Sequence, residues 1–227
     1  MLFIQGITDF IQMIAKYYPY FLKGTGNTLL LSFLATLLGF AIGMMLALFR
    51  INSSKNFLLK LMRMLSGVYI EIIRGTPLLV QLLLIFSSFK DMSRYTAGVI
   101  ALSLNSAAYV AEIVRAGIQS VDRGQTEAAR SLGMSSLMTY QEIILPQAIK
   151  NILPALGNEF IVLIKETAIV SMVGIADLMY SAGIVQSKTY QPIPPLMMAM
   201  IIYLILTLTL SKGMKTAERR LHRGDVR

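Results

Sequence analysis

The sequence predicts an all-α integral membrane protein: five transmembrane helices, an N-terminal interfacial helix, and a helical segment outside the membrane between spans three and four. Three observations carry this reading. Residues of the set AVILMFWYC make up 55% of the 227-residue chain and charged residues 15%, where soluble domains usually carry about 25% charged residues. Mean hydropathy is +0.63. The charges flank long apolar runs, and a membrane span needs roughly 20 mainly apolar residues. Net charge is +9, from 21 Lys+Arg against 12 Asp+Glu. Placed at the ends of apolar runs, these cations read as membrane topology and not as nucleic-acid binding. The chain has no Cys and one His, His222. Disulfides and thiolate metal sites are excluded, and no metal site or catalytic triad is expected.

Each element follows in order. Met1–Tyr20 lacks a basic start, and Gln5, Asp9 and Gln12 interrupt its apolar residues. It reads as a surface helix, not as a signal peptide. The first span is Gly24–Phe49, free of charge between Lys23 and Arg50; its Gly39 and Gly43 permit close helix packing. The second runs from about Tyr69 to Phe89 and borrows from the Glu71/Arg74 side to reach full length. The third is about Tyr95–Ala116, the fourth about Ile152–Val173, and the fifth Pro192–Leu210.

Orientation comes from the cations. Arg50, Lys55, Lys60 and Arg63 follow span one without an acid. The tail holds Lys212, Lys215, Arg219, Arg220, Arg223 and Arg227 against Glu218 and Asp225. The turn Lys90–Arg94 and the loop Gly174–Gln191 are poor in basic residues. The positive-inside rule makes the first two groups cytoplasmic, with the N-terminus outside and the C-terminus inside. The polar stretch Gly117–Asn151 is then cytoplasmic. Within it, Asp122 with Gln125 has capping-box character and Val121 precedes it. Gly133 supplies a left-handed residue that ends a helix, and Ser135 or Ser136 can cap a second. Leu137, Tyr140, Ile144 and Ala148 fall on one face, and Pro146 limits or kinks that helix near its end. From the residues alone, this helix–turn–helix is equally an ordinary amphipathic re-entry loop.

Glu127-Ala128-Ala129, Gly133 and Ile144-Leu145-Pro146 resemble the EAA motif of ABC importer permeases. Glu71–Gln81, Ala101–Ala116 and Leu156–Phe160 are similar to the polar amino-acid branch (histidine, glutamine, arginine, cystine), and the likeness covers nearly everything from Gly24 to the tail. It implies one transmembrane permease domain over 1–227: an interfacial helix 1–20, a five-span core 24–210 with a coupling segment 118–150, and a basic cytoplasmic tail 211–227. It implies that the first EAA helix docks on a separate ATPase subunit through Glu127, Ala128, Ala129 and Gly133, with Arg130 and Arg123 pairing charges or merely solvated. Pro146 belongs to the same motif; Glu127–Gly133 is expected to make the contact and Leu137–Ala148 to anchor it. The chain has no phosphate-binding glycine loop, so ATP and magnesium are expected on the partner and no cofactor here. Implied partners are an ATPase dimer, a second permease subunit (a second copy or a close paralogue), an extracytoplasmic binding protein and an amino acid, in a bacterial plasma membrane.

Intramembrane polar residues are functional candidates by default. Asn158, Glu159, Lys165, Glu166 and Thr167 interrupt span four, and residues 159 and 166 share a helix face. Asn158 and Glu159 suit an amino-acid zwitterion and Glu166 a cationic group; equally, a Lys165–Glu166 or interhelical ion pair only fixes packing. In span three, Asn105 and Tyr109 are candidates for the path, with Ser103 and Ser106 read as packing. Glu71/Arg74 and Glu112/Arg115 share a spacing that allows pairing along a helix. Two departures stand out: the turn Ser87–Thr96 is shorter than the family's usual connection, and Lys165–Ala168 differs from the branch's usual Lys-Asp-Thr-Ser. Other readings are a permease for methionine or a quaternary amine, a secondary transporter, or a membrane scaffold.

Overall fold

The computed structural model describes residues 2–51 and 56–222; of residues 2–9, 221 and 222 it describes the backbone alone. Lys55, Arg223, Asp225 and Arg227, used above for orientation, lie outside the described residues, as do the side chains of Gln5, Asp9 and His222.

Helix α1 runs without a break from Leu2 to Ile51, with Pro19 inside it. The division expected at residues 20–24 is not a break in the helix: nothing between Tyr20 and Gly24 stops one, and Pro19 removes a single N–H donor. Its part long and apolar enough to cross a membrane is Phe10–Ile51. At 1.5 Å per residue that part is about 63 Å long, twice a hydrocarbon core of about 30 Å, so one end of α1 projects beyond it.

The second span is not straight. Helices α2 (Phe57–Gly75) and α3 (Leu78–Ser88) meet at 107°. The residue before a proline is pushed from helical to extended backbone, and Thr76, before Pro77, lies at φ −123°, ψ 146°. Two of the carbonyls freed at the break are held by one side chain. Gln81 Nε2 donates to the carbonyls of Ile73 (2.9 Å) and Thr76 (3.1 Å) and to Thr76 Oγ1 (2.9 Å).

Helix α4 (Arg94–Gln119) starts at Ser93, whose hydroxyl accepts from the Thr96 N–H at 3.1 Å. It is the central helix, buried along most of its length, and packs against α1, α2 and α3. Close α1–α4 approach rests on the two expected glycines. A Cβ on Gly39 would stand 2.8 Å from Ser106 Cβ, and one on Gly43 2.7 Å from the Ala107 carbonyl oxygen.

Beyond α4, the structure forms α5 (Arg123–Ser131), a single turn α6 (Ser136–Thr139), a π-turn over Tyr140–Ile144, and α7 (Leu145–Glu166). Pro146 therefore begins a helix where it was expected to end one. The π-turn admits it: the Leu145 N–H donates to the Tyr140 carbonyl, one residue wider than an α-turn. A 3₁₀ segment, Thr167–Val173, continues α7 and ends at Gly174 with φ +79°. The expected loop Gly174–Gln191 is mostly helix α8 (Leu178–Thr189), bent 50° from the preceding segment. Asp177, fully buried, nucleates it: Oδ1 accepts from the Tyr180 N–H at 2.8 Å. Helix α9 (Ile193–His222) runs past Leu210, so the described part of the tail is helical.

Among the described residues, three helices are long and apolar enough to cross a membrane, or five spans if each bent pair counts as one. Apolar cores line the seams between them, around Leu82 and Leu163, around Val114 and Ala148, and around Phe21 and Val185.

Candidate transport path and docking elbow

Helices α4 and α7 lie side by side in opposite directions. Asn105 meets Glu166, and Asn151 Nδ2 donates to Ser120 Oγ at 2.8 Å. This seam gathers several of the polar groups, Asn105, Ser106, Glu159 and Glu166. Asn105 Nδ2 approaches Glu166 Oε2 at 3.5 Å. One residue on, Ser106 lies beside the Glu159 carboxyl, but its hydroxyl closes no hydrogen bond; nor do the buried hydroxyls of Ser103 and Thr36. Glu159 is 7% exposed. It opens into a cavity of about 370 Å³ walled by Phe33, Thr36, Leu37 and Phe40 of α1, Val110 of α4, and Leu156 and Phe160 of α7. Unsatisfied buried polar groups cost roughly 1–3 kcal/mol each, and the hydroxyls of Thr36 and Ser106, both near the Glu159 carboxyl, carry that cost.

The structure does not assemble all the expected residues. Successive residues on a helix point apart, and Asn158 and Lys165 are exposed while their neighbours Glu159 and Glu166 turn inward. Asn158 and Glu159 therefore do not share a target, and Lys165 makes no ion pair with Glu166. Thr167 is buried and its hydroxyl donates to the Ile164 carbonyl at 2.8 Å, a helix-end role. Tyr109 lies beneath the Arg74 guanidinium, 5.4 Å from the ring centroid. The two Glu-x-x-Arg repeats behave differently. Glu112 and Arg115 form a bidentate pair on α4. Glu71 is exposed and makes no ion pair among the described residues, whereas Arg74 crosses from α2 to Glu112 at 3.9 Å.

The elbow between α4 and α7 is built by caps. Asp122 Oδ1 accepts from the Gly124 N–H at 2.6 Å and starts α5. At its end the Gly133 N–H donates to the Arg130 carbonyl (3.0 Å) and the Met134 N–H to that of Ala129 (3.1 Å), a Schellman closure. Gly133 has φ +83°, as its position requires. Arg130 Nη1 donates to the Met134 carbonyl at 2.6 Å, tying off the same end. Ser135 Oγ accepts from the Met138 N–H at 3.2 Å and starts α6. Glu127, Ala128 and Arg130 are exposed, but Ala129 is 4% exposed and packs inward. Leu137 was expected to anchor the second helix with Ile144 and Ala148. Those two are buried, while Leu137 is 67% exposed, because the π-turn shifts the helix face by one residue.

Residues 39–223 match the family described as the binding-protein-dependent transport system inner membrane component. The chain belongs to that family. Such permeases are membrane components of ABC importers, work with a separate ATPase subunit and a substrate-binding protein, and are not enzymes themselves. This permease is 43% identical to the putative glutamine transport system permease protein GlnP of Rickettsia typhi, covering 93% of this chain and 98% of that one. It is 39% identical to the arginine transport system permease protein ArtQ of Bacillus subtilis, covering 91% and 94%. The crystal structure of an amino acid ABC transporter with histidines contains a chain 52% identical to this permease, with a TM-score of 0.87 over 93% of this chain and 98% of that one.

Three features of the permease went unread in the sequence. Thr36 had a signal: Thr28, Ser32 and Thr36 continue the small-residue stripe of Gly39 and Gly43 at helical spacing. Leu132, 84% exposed at the end of α5, had one too, as an apolar residue abutting a helix-ending glycine. Asp177 had none, because its role depends on Thr28, Tyr203 and α8 arriving from distant parts of the chain.

Proposed function

We propose that this chain is the permease of an importer for polar amino acids, and that substrate passes the seam where Asn105, Glu159 and Glu166 meet. The observation that carries this reading is a buried carboxylate, Glu159, facing a cavity of about 370 Å³ and flanked by unpartnered hydroxyls. A concave, mostly apolar site of about 300–1,000 Å³ with a few convergent polar groups suits a small ligand. Glu159 would take the α-ammonium group or a cationic side chain, with Ser106 and Thr36 offering hydroxyl donors. Asn105 and Glu166 would flank it. The glutamine and arginine assignments of the similar permeases support a polar amino acid as the solute.

The reading includes the assembly. Two permease subunits, alike or paralogous, would sit on an ATPase dimer that binds ATP and magnesium, with an external binding protein delivering the solute. The elbow would dock on the ATPase through Glu127, Ala128 and Arg130, joined by the exposed apolar residues Leu132, Leu137 and Met138. Ala129, Gly133 and Pro146 would shape the elbow without touching the partner. The N-terminus would lie outside and the C-terminus in the cytoplasm.

Uptake of radiolabelled glutamine and arginine by the assembled importer in proteoliposomes tests the path. Glu159→Gln and Glu166→Gln are expected to lower uptake at least about tenfold, the scale of one charge-assisted contact, while the complex still co-purifies. Unchanged uptake in both variants would sink the assignment.

A further inference from the structure

Arg50 at the cytoplasmic-side end of α1 and one face of α2, from Phe57 to Glu71, line a second, open cavity of about 510 Å³. Arg50, Lys60 and Arg63 line it, with Glu71 as the single acid among its described lining residues. None of the three cations makes an ion pair among the described residues. Arg50 lies against the α2 backbone at Gly67, where a Cβ would stand 2.5 Å from Nη1. The missing side chain thus leaves the guanidinium its place at the cavity. Between the cations stand apolar side chains that water leaves unsatisfied: Phe57 is 80% exposed and Met64 58%. In the first turns of α2, Lys60 and Arg63 stand among apolar residues, in the manner of a helix lying at a membrane surface.

We propose that this cavity binds the phosphate-bearing headgroup of an anionic phospholipid. The assignment rests on the reading that this end of α1 faces the cytoplasm, where basic pockets between spanning helices meet anionic headgroups. The cations hold the phosphate, and Phe57 and Met64 lie against the acyl chains. A soluble phosphate satisfies the first requirement and leaves the second unmet, so the lipid is the occupant. Bound there, it pins the start of α2, and with it the bend at Thr76–Pro77, to the membrane surface.

Native mass spectrometry of the full-length chain in neutral detergent tests this, without ATP or amino acid, so that its outcome is independent of transport. The chain is titrated with palmitoyl-oleoyl phosphatidylglycerol, with the phosphatidylcholine of the same chains, and with inorganic phosphate as competitor. Phosphatidylglycerol is expected to bind at least about tenfold more tightly than phosphatidylcholine, and phosphate at millimolar concentration to leave it bound. Lys60→Gln with Arg63→Gln is expected to cut that preference to about threefold or less, and adding Arg50→Gln to abolish it. Lys60 and Arg63 are exposed, so the double variant keeps its fold, checked by an unchanged melting temperature; it decides the outcome if the triple variant aggregates. Lys212→Gln with Lys215→Gln, on the tail and outside the lining of this cavity, is expected to bind lipid as the native chain does. Equal binding of the two lipids, displacement by free phosphate, or equal losses in the tail control would overturn the proposal.

Discussion

Gly43 shows how a single missing methyl group sets the distance between two membrane helices. Lipid tails are as apolar as leucine, so spans associate by close packing and not by the hydrophobic effect. A Cβ at Gly43 would meet a backbone atom, the Ala107 carbonyl oxygen, at 2.7 Å, whereas a Cβ at Gly26 meets nothing within 4 Å. Gly43→Ala is expected to destabilise the chain by about 1–3 kcal/mol, the usual cost of overpacking. Gly26→Ala, in the same helix, is expected to be neutral or to stabilise by up to about 1 kcal/mol from helix propensity. Melting temperatures in detergent separate the two; a like response from both variants would rule out close α1–α4 packing as the cause. This contact was legible in the sequence, because a small-residue spacing on one helix needs no knowledge of its partner. The polar candidates of span four were not equally legible. Sequence placed Asn158, Glu159, Lys165 and Glu166 in one window, but only the helix phase relative to α4 turns the two glutamates inward.

At the scale of elements, the bends carry the architecture, and they divide into those with a local signal and those without. Gly75-Thr76-Pro77 breaks span two by a rule that applies to any chain, although the 107° angle depends on how α3 packs against α4. Gln81 is what makes the break tolerable inside a membrane, where freed carbonyls find no water. Gln81→Leu keeps the bulk and removes the amide donor to Ile73 and Thr76. It is expected to cost about 1–3 kcal/mol, with faster amide exchange confined to residues 73–81. Unchanged exchange there would assign the bend to Pro77 alone. The elbow had the strongest local signal, and Asp122, Gly133 and Ser135 all cap, although Asp122 takes the Gly124 N–H and not that of Gln125, as the expected capping box would. The π-turn at Tyr140–Ile144 had none, which is why Leu137 was placed on the buried face. Gly133 sits at φ +83°, where a side chain costs about 1–2 kcal/mol. Gly133→Asp is expected to abolish co-purification with the ATPase while leaving membrane insertion intact. Normal co-purification and substrate-stimulated hydrolysis would remove the elbow from the coupling route.

At the scale of the whole molecule, the expected count and direction of the spans rest on where cations stop apolar runs. The bend in span two and the unexpected α8 are compatible with an odd number of crossings, five if each bent pair among the described residues counts as one. The extent of α1 and α9 beyond the hydrocarbon was not legible, because a helix that leaves the membrane keeps the same backbone and needs no boundary residue. The predicted topology puts α5 inside the cell and the α8–α9 connection outside. The chain has no cysteine, so single cysteines report their own location against no background. Leu132 is 84% exposed on the elbow and Tyr190 is 92% exposed between α8 and α9, so neither substitution disturbs packing. In intact spheroplasts, a membrane-impermeant maleimide is expected to label Tyr190→Cys and to spare Leu132→Cys. After lysis in the absence of the ATPase both are expected to react. With the ATPase bound, Leu132→Cys is expected to be protected again, because the docking surface covers it. Labelling of Leu132→Cys from outside would invert the topology, and with it the placement of Arg50, Lys60 and Arg63 against cytoplasmic lipid. Labelling unaffected by the ATPase would instead keep the topology and move the docking contact away from the end of α5.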